Sequence, residues 1–170
     1  MTDNLLVVDL QDALSDDEAD KPPSAAKLIK WANLAYSQIS DTTAELTLRL
    51  VDDNEMTELN SNYRGKQGST NVLSFPFEND FDFDLANDQG IDAQQSFALT
   101  LLGDIVICHV VICKEAVEQN KNLEDHYAHM VTHGVLHLCG YDHLDDASAE
   151  QMEALEAKIL AYSSIENPYT

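Results

Sequence analysis

The first part of the chain alternates between short apolar runs and segments with helical periodicity. Leu5–Leu10 is rich in branched residues and too short for a helix, so it predicts a strand. Pro22 and Pro23 then open a helix whose apolar side chains recur at helical spacing as far as Ile39. Glu45–Val51 is apolar at every second position, which predicts a second strand.

The same patterns continue to the end of the chain. A helix capped by Asp52 or Asp53 ends before Gly65. Two further strands are predicted at Thr70–Ser74 and Leu99–Ile107, and the last three helices at Cys108–Gln119, at Leu123–Leu138 and from Asp145–Ala147 onward. This order predicts an α+β fold with a mixed four-stranded sheet and helices packed mainly on one side.

One acidic segment departs from these periodic patterns. Asn79–Phe97 is polar and has no steady period, and its large apolar anchors are Phe81 and Phe83. We expect one domain over residues 1–170 with an acidic surface insertion at about residues 79–97. A lid over the functional site or a docking element is the alternative interpretation of this insertion.

Composition adds limits on location and partners. The apolar fraction of 44% is typical of a soluble globular protein, and no apolar run approaches the length of a membrane span. The chain opens with Asp3 and a short apolar stretch, without a basic region, so we expect no signal peptide. The 3 cysteines form no C-x-x-C motif, so we expect reduced thiols and a cytoplasmic location.

The net charge argues against a nucleic-acid partner, but its distribution softens that argument. The charge is −22, from 9 basic and 31 acidic residues, whereas proteins that bind nucleic acids usually carry a basic surface. Acidic residues are concentrated in Asp9–Asp20, Glu78–Asp92 and Asp142–Glu156, whereas Arg49, Arg64 and Lys66 lie in the middle of the chain. A small positive groove on an acidic body is therefore compatible with the sequence.

The chemistry of the chain is concentrated in an eleven-residue segment with the spacing H-x3-H-x2-G-x2-H. His133 and His137 are four residues apart, so on a helix they point two imidazoles in one direction. Gly140 lies where the helix should stop, and the chain can reverse there to bring in His143. Three imidazoles and one open coordination position are typical of a catalytic zinc site.

The spacing matches the metzincin protease motif H-E-x-x-H-x-x-G-x-x-H except at one position. Gly134 stands where those proteases have the glutamate that activates the metal-bound water. Without that proton acceptor, a protease is a much weaker interpretation.

Three segments follow one another along the chain: Tyr63–Lys66 with Thr70–Phe77, then Leu101–Ile107, and then His133–His143. In sequence and in order they resemble the YbeY family of bacterial metal-dependent endoribonucleases. The resemblance implies a zincin-like fold, one Zn²⁺ per chain and cleavage of single-stranded RNA in 16S rRNA 3′-end maturation and ribosome quality control. It also implies contacts with small-subunit ribosomal proteins or a ribosome-associated GTPase.

With this resemblance, the expected metal ligands are His133, His137 and His143, and the expected catalytic residues are Arg64, His133 and Asp142. Arg64 would meet the charge on the phosphoryl group, because a guanidinium fits phosphate oxygens. Its alternative role is a favourable charge at a helix C-terminus. Asp142 is a candidate general base, and its alternative role is to orient His143 or cap a turn.

Other polar residues receive weaker expectations. His126 and His129 share the helix face of the proposed ligands, so we expect hydrogen-bonded pocket lining, with proton transfer as the alternative. His109 is expected to be structural, and Asp104 to be either a structural carboxylate or a partner of a metal ligand. The acidic positions of the last helix are expected to face solvent: Glu150, Glu153 and Glu156.

A second hypothesis is a ribosome-assembly factor in which the zinc is structural and hydrolysis is weak or absent. A structural zinc normally has four protein ligands. Cys139 is the nearest additional donor, but it is too close in sequence to His137 to be a good fourth ligand of the same ion.

Overall fold

The computed structural model describes residues 5–18, 20–77 and 100–169. Within these ranges the strands are β1 Leu6–Asp12, β2 Ala44–Val51, β3 Val72–Pro76 and β4 Thr100–Cys108. The helices there are α1 Ala25–Ser37, α2 Asp53–Arg64, α3 His109–Glu118, α4 Leu123–Leu138 and α5 Asp146–Ala161. The acidic insertion expected at residues 79–97 lies outside the described residues.

The strands form one mixed sheet in the order β1-β2-β4-β3. β1, β2 and β4 run parallel, with Leu10 opposite Leu48 and Leu48 opposite Ile105. β3 runs antiparallel to β4 at the edge, with Ser74 opposite Ile105. The expected α+β class with a mixed four-stranded sheet is confirmed.

The sheet has two unequal faces, because side chains alternate along each strand. Leu46, Leu48 and Ile105 point into a large core that they share with α1, α4 and α5. The opposite face carries a small core, in which Val106 packs with Met56 of α2. Burial is therefore concentrated on the face that carries α4.

Side-chain caps set several helix starts. Ser24 accepts a hydrogen bond from the Lys27 N–H, so α1 begins at Ala25 and the two prolines precede the helix instead of opening it. Asp52 caps α2 through the Glu55 N–H, and Gly65 ends that helix with a left-handed φ of 64°. The third strand lies two residues later than the sequence predicted.

A glycine at the β3–β4 pairing permits a close backbone approach. Gly103 has φ 133°, and a Cβ there would lie 2.1 Å from the Phe75 carbonyl oxygen. The ladder between β2 and β4 is irregular at the same place, between Glu45 and Leu46. Only glycine fits at this position without a shift of the backbone.

None of the described helices combines the length and the apolar character that a membrane span requires.

Candidate metal centre

The last two turns of α4 carry the first two histidines of the site. His133 and His137 are one helical turn apart, and their ring centroids are 4.5 Å apart. Their Nε2 atoms are separated by 3.0 Å, so both nitrogens point to the same place. Because α4 packs against β3 and β4, this place lies beside the edge of the sheet.

A tight turn after α4 brings the third histidine to the other two. Gly140 has φ 99°, and its N–H donates to the His137 carbonyl at 3.1 Å. The ring centroid of His143 is 5.7 Å from that of His133 and 5.1 Å from that of His137. One ligand nitrogen from each histidine lies within 4.8 Å of the other two. The structure therefore brings the three predicted ligands together.

The ionisation states at this site suit a metal ion. Burial, together with the neighbouring His133 and His143, lowers the pKa of His137, which favours the neutral imidazole that a metal requires. Burial raises the pKa of Cys139 to about 11, so its side chain is a protonated thiol at neutral pH. Cys139 also belongs to neither group of converging ligand atoms among the described residues. The donor set is three imidazoles, which fits a zinc ion that keeps an open coordination position.

Glu156 of α5 was expected to face solvent, and that expectation is wrong. The residue is fully buried, and its Oε1 lies 2.7 Å from Nδ1 of His133. Its Oε2 lies 2.9 Å from Nε2 of His129 and also accepts a hydrogen bond from the Tyr169 hydroxyl. An ionised carboxylate only accepts hydrogen bonds, so Nδ1 of His133 carries the proton. The lone pair of Nε2 then faces His137.

Hydrogen bonds keep this buried carboxylate charged. Burial alone would raise the pKa of Glu156, but hydrogen bonds from His129, His133 and Tyr169 outweigh it and lower the pKa to about 2. The sequence contained one signal for this burial. Glu156 is four residues after Met152 and three before Ile159, so it lies in the apolar stripe of α5. No comparable signal pointed to Tyr169.

The described residues contain a second group with metal-ligating chemistry: His129, His133 and Glu156. The two groups share His133, which offers Nδ1 to one and Nε2 to the other. In the second group both carboxylate oxygens of Glu156 already accept hydrogen bonds from the rings. It is therefore a hydrogen-bonded support beneath the three-histidine group.

The remaining buried histidines are hydrogen-bonded. Nε2 of His126 lies 2.9 Å from Oε1 of Glu115, and burial lowers the pKa of His126 despite that carboxylate. His109 donates from Nε2 to the Asp20 carbonyl at 2.6 Å and accepts at Nδ1 from the hydroxyl of Tyr127. His109 is thus a structural residue, as the sequence indicated.

Arg64, Asp142 and Asp104 have no side-chain hydrogen bond to this network among the described residues. Arg64 is the exposed last residue of α2, and its guanidinium has no hydrogen bond or ion pair with any described residue. Asp142 accepts a hydrogen bond from the Leu144 N–H at 3.3 Å, which is the turn-capping arrangement. Asp104 is exposed on the α2 face, so its role as a partner of a metal ligand is not supported.

Comparison with known proteins identifies the family. The family model described as Endoribonuclease YbeY matches residues 12–164. A protein named Endoribonuclease YbeY from Alteromonas mediterranea is 48% identical over 167 residues, which cover 96% of each chain.

The chain belongs to the YbeY family.

Another relative of that name, from Chromohalobacter salexigens, is 48% identical over 148 residues, covering 86% of this chain and 87% of the relative. The solution structure of TM1509 from Thermotoga maritima is 24% identical and has a TM-score of 0.55. The structural match covers 94% of this chain and 92% of the Thermotoga maritima chain, and it is evidence for the fold alone.

The glycine that replaces the protease glutamate has a packing role in this YbeY-family protein. A Cβ at Gly134 would lie 2.9, 3.0 and 3.1 Å from Cγ2, Cδ1 and Cγ1 of Ile105. Position 134 therefore faces strand β4, and α4 approaches the sheet closely there. A glutamate here would have to displace the buried Ile105 before its carboxylate reached the histidines.

Proposed function

We propose that this YbeY-family protein is a zinc-dependent, single-strand-specific endoribonuclease that acts in 16S rRNA 3′-end maturation and ribosome quality control. The observation that carries the proposal is the convergence of three imidazoles, whose ligand nitrogens lie within 4.8 Å of one another. The name Endoribonuclease YbeY, which the matching family model and both relatives carry, supports RNA as the substrate.

In this proposal, His133, His137 and His143 hold one Zn²⁺ per chain. The ion would lower the pKa of a bound water to about 7 and polarise a phosphoryl oxygen. Glu156 keeps the proton on Nδ1 of His133, so Nε2 stays available as a ligand. Asp142 is half-buried next to a ligand and is our candidate to accept the proton of the attacking water.

Arg64 is the proposed electrostatic partner of the phosphate. The chain has two arginines, and the guanidinium of Arg49 is held by Glu55 at 2.6 Å. Arg64 and Lys66 have no acidic partner among the described residues, and both are exposed. They therefore remain available for phosphate oxygens, and the planar guanidinium of Arg64 offers two parallel donors.

The partners follow from the same proposal. The substrate is a single-stranded segment of a ribosomal RNA precursor, and contacts with small-subunit ribosomal proteins or a ribosome-associated GTPase would bring the enzyme to it. A net charge of −22 disfavours tight binding to RNA in general. Recruitment by a protein partner in the cytoplasm would compensate for that weak affinity.

Removing the Arg64 guanidinium tests the proposal. Arg64→Ala should bind zinc like the parent but cleave a labelled single-stranded RNA roughly 100-fold more slowly, as expected for loss of one preorganised donor. Arg64→Lys should recover only part of this rate, because an ammonium cannot make the two-pronged contact. The measurement is single-turnover cleavage beside a zinc assay.

Controls separate this role from a general loss of charge. Lys114 is exposed on α3, so Lys114→Ala removes one positive charge elsewhere and should cleave like the parent. Equal cleavage by both Arg64 variants and the parent would remove Arg64 from the mechanism. A zinc-loaded parent that cleaves neither RNA nor casein would instead favour the assembly-factor hypothesis.

A further inference from the structure

We infer that Tyr169 and Glu156 are positioning residues of the metal centre, and that Tyr169 acts through Glu156 on the metal-facing nitrogen of His133. This inference rests on the proposed function, because it assigns the residues that hold one of the proposed zinc ligands in place. It connects the segment after α5 to a site built on α4.

The first step is the isolation of the Glu156 carboxylate. Glu156 is fully buried in α5, and no lysine or arginine among the described residues pairs with it. Its partners are the ring N–H groups of His129 and His133 and the hydroxyl of Tyr169. A buried charge is stable only when such donors replace its water. Each donor therefore helps to fix the position of the carboxylate.

The second step is the geometry of the two oxygens. Oε1 accepts a hydrogen bond from His133 alone, with Nδ1 at 2.7 Å. Oε2 accepts hydrogen bonds from both His129 and Tyr169. Tyr169 thus helps to anchor the oxygen that His133 does not use. This anchor limits rotation of the carboxylate plane, and it keeps Oε1 in line with the His133 ring.

The third step concerns the placement of Tyr169 in the segment after α5. The ring of Tyr169 stands edge-on to His129, with centroids 5.5 Å apart and an interplanar angle of 89°. The residue is nevertheless 43% exposed, and its N–H is turned back to the Asn167 side chain. The hydroxyl is therefore the group that reaches inward and completes the support of His133.

Two variants separate the members of this relay. Tyr169→Phe removes the hydroxyl and keeps the ring against His129. Glu156→Gln keeps the volume but offers one accepting oxygen to three donors, so at least one donor loses its partner. The expected losses of zinc affinity are about 10-fold for Tyr169→Phe and 10- to 100-fold for Glu156→Gln, the size usual for groups that orient a metal ligand.

The deciding readout does not need metal. Nitrogen-15 spectra of the zinc-free protein report which ring nitrogen of His133 carries the proton. The parent should show the proton on Nδ1, and both variants should show a mixture of the two tautomers. Tyr162→Phe is the matched control, because Tyr162 is exposed just after α5, and this variant should leave the His133 spectrum and zinc affinity unchanged.

A double variant tests whether Tyr169 acts through Glu156. If it does, Tyr169→Phe should change zinc affinity little further when Glu156 is already Gln. Fully additive losses would overturn the relay, as would a His133 tautomer that neither variant alters. Binding of a second zinc ion that disappears in Glu156→Gln would also overturn it, because Glu156 would then be a ligand. A parent that binds zinc without cleaving RNA would contradict the proposed function and leave the relay standing.

Discussion

The two halves of helix α4 use the same residue type in opposite ways. His126 and His129, in the first half, are buried and place Nε2 against the carboxylates of Glu115 and Glu156. His133, in the second half, instead gives Nδ1 to Glu156. Its Nε2 is thereby left to face His137 across 3.0 Å.

This difference shows that the spacing of histidines on a helix does not by itself define a metal site. All four rings share one face of α4. The ring nitrogen that is hydrogen-bonded to a carboxylate determines which nitrogen is left to bind a metal. In the first half the remaining Nδ1 atoms are buried and have no hydrogen-bond partner among the described residues. In the second half the remaining nitrogens converge, which is the arrangement that a metal ion needs.

The largest effect is expected from removing a proposed metal ligand in the second half of the helix. His137→Ala should abolish tight zinc binding, because two imidazoles and water make a poor site. His126→Gln is the matched change in the first half, where the amide can still donate to Glu115, and it should retain one zinc per chain. Metal analysis after exhaustive dialysis measures both variants. Full zinc retention by His137→Ala would contradict the assignment of the ligands.

An intermediate effect is expected on the other side of the second half, where Gly134 packs on Ile105. Gly134→Ala should lower the free energy of unfolding by about 1–2 kcal/mol, because overpacking against β4 outweighs the better helix propensity of alanine. Urea unfolding of the zinc-free protein measures this change. In the background of Ile105→Ala the same substitution should become neutral or stabilising. An equal cost in both backgrounds would show that the contact with Ile105 is not the cause.

The smallest expected effect concerns the first half and its response to pH. Burial lowers the pKa of His126 in the folded protein, so below about pH 6.5 the unfolded chain takes up this proton more readily. The contribution of His126 to stability is therefore present above that pH and is lost as the pH falls toward its folded-state pKa. Unfolding of the zinc-free protein at pH 7.5 and 5.5 should show a smaller loss for His126→Gln than for the parent. An equal loss in the two proteins would contradict the lowered pKa.

The three-histidine group was predictable because it depends on local geometry. His133 and His137 lie one turn apart on any helix, and Gly140 permits the turn that returns His143. Glu156 and Tyr169 were missed because their contacts depend on how α5 and the segment after it pack on α4. An acidic residue on a helix is usually solvated, and in this case the apolar stripe around position 156 was the better guide.

The fold was predictable for a similar reason. The alternation of apolar residues along β2 predicted the strand and its buried face. The start of α1 instead depended on which residue capped the helix, Ser24 or one of the prolines before it. The helix begins after Ser24, because the Ser24 side chain accepts a hydrogen bond from a backbone N–H of the first turn. The position of Arg64 relative to the histidines depends on how α2 packs on the sheet face opposite α4, which periodicity does not encode.

The close approach at Gly103 has a genetic consequence. Every amino acid that one base change can produce from a glycine codon carries a Cβ, and at this position the Cβ would meet backbone atoms of Phe75, Pro76 and Phe77. A second substitution cannot relieve a collision with backbone atoms by shortening a side chain. Missense alleles at codon 103 should therefore be almost absent from a functional mutant library, and they should lack second-site suppressors among the neighbouring side chains.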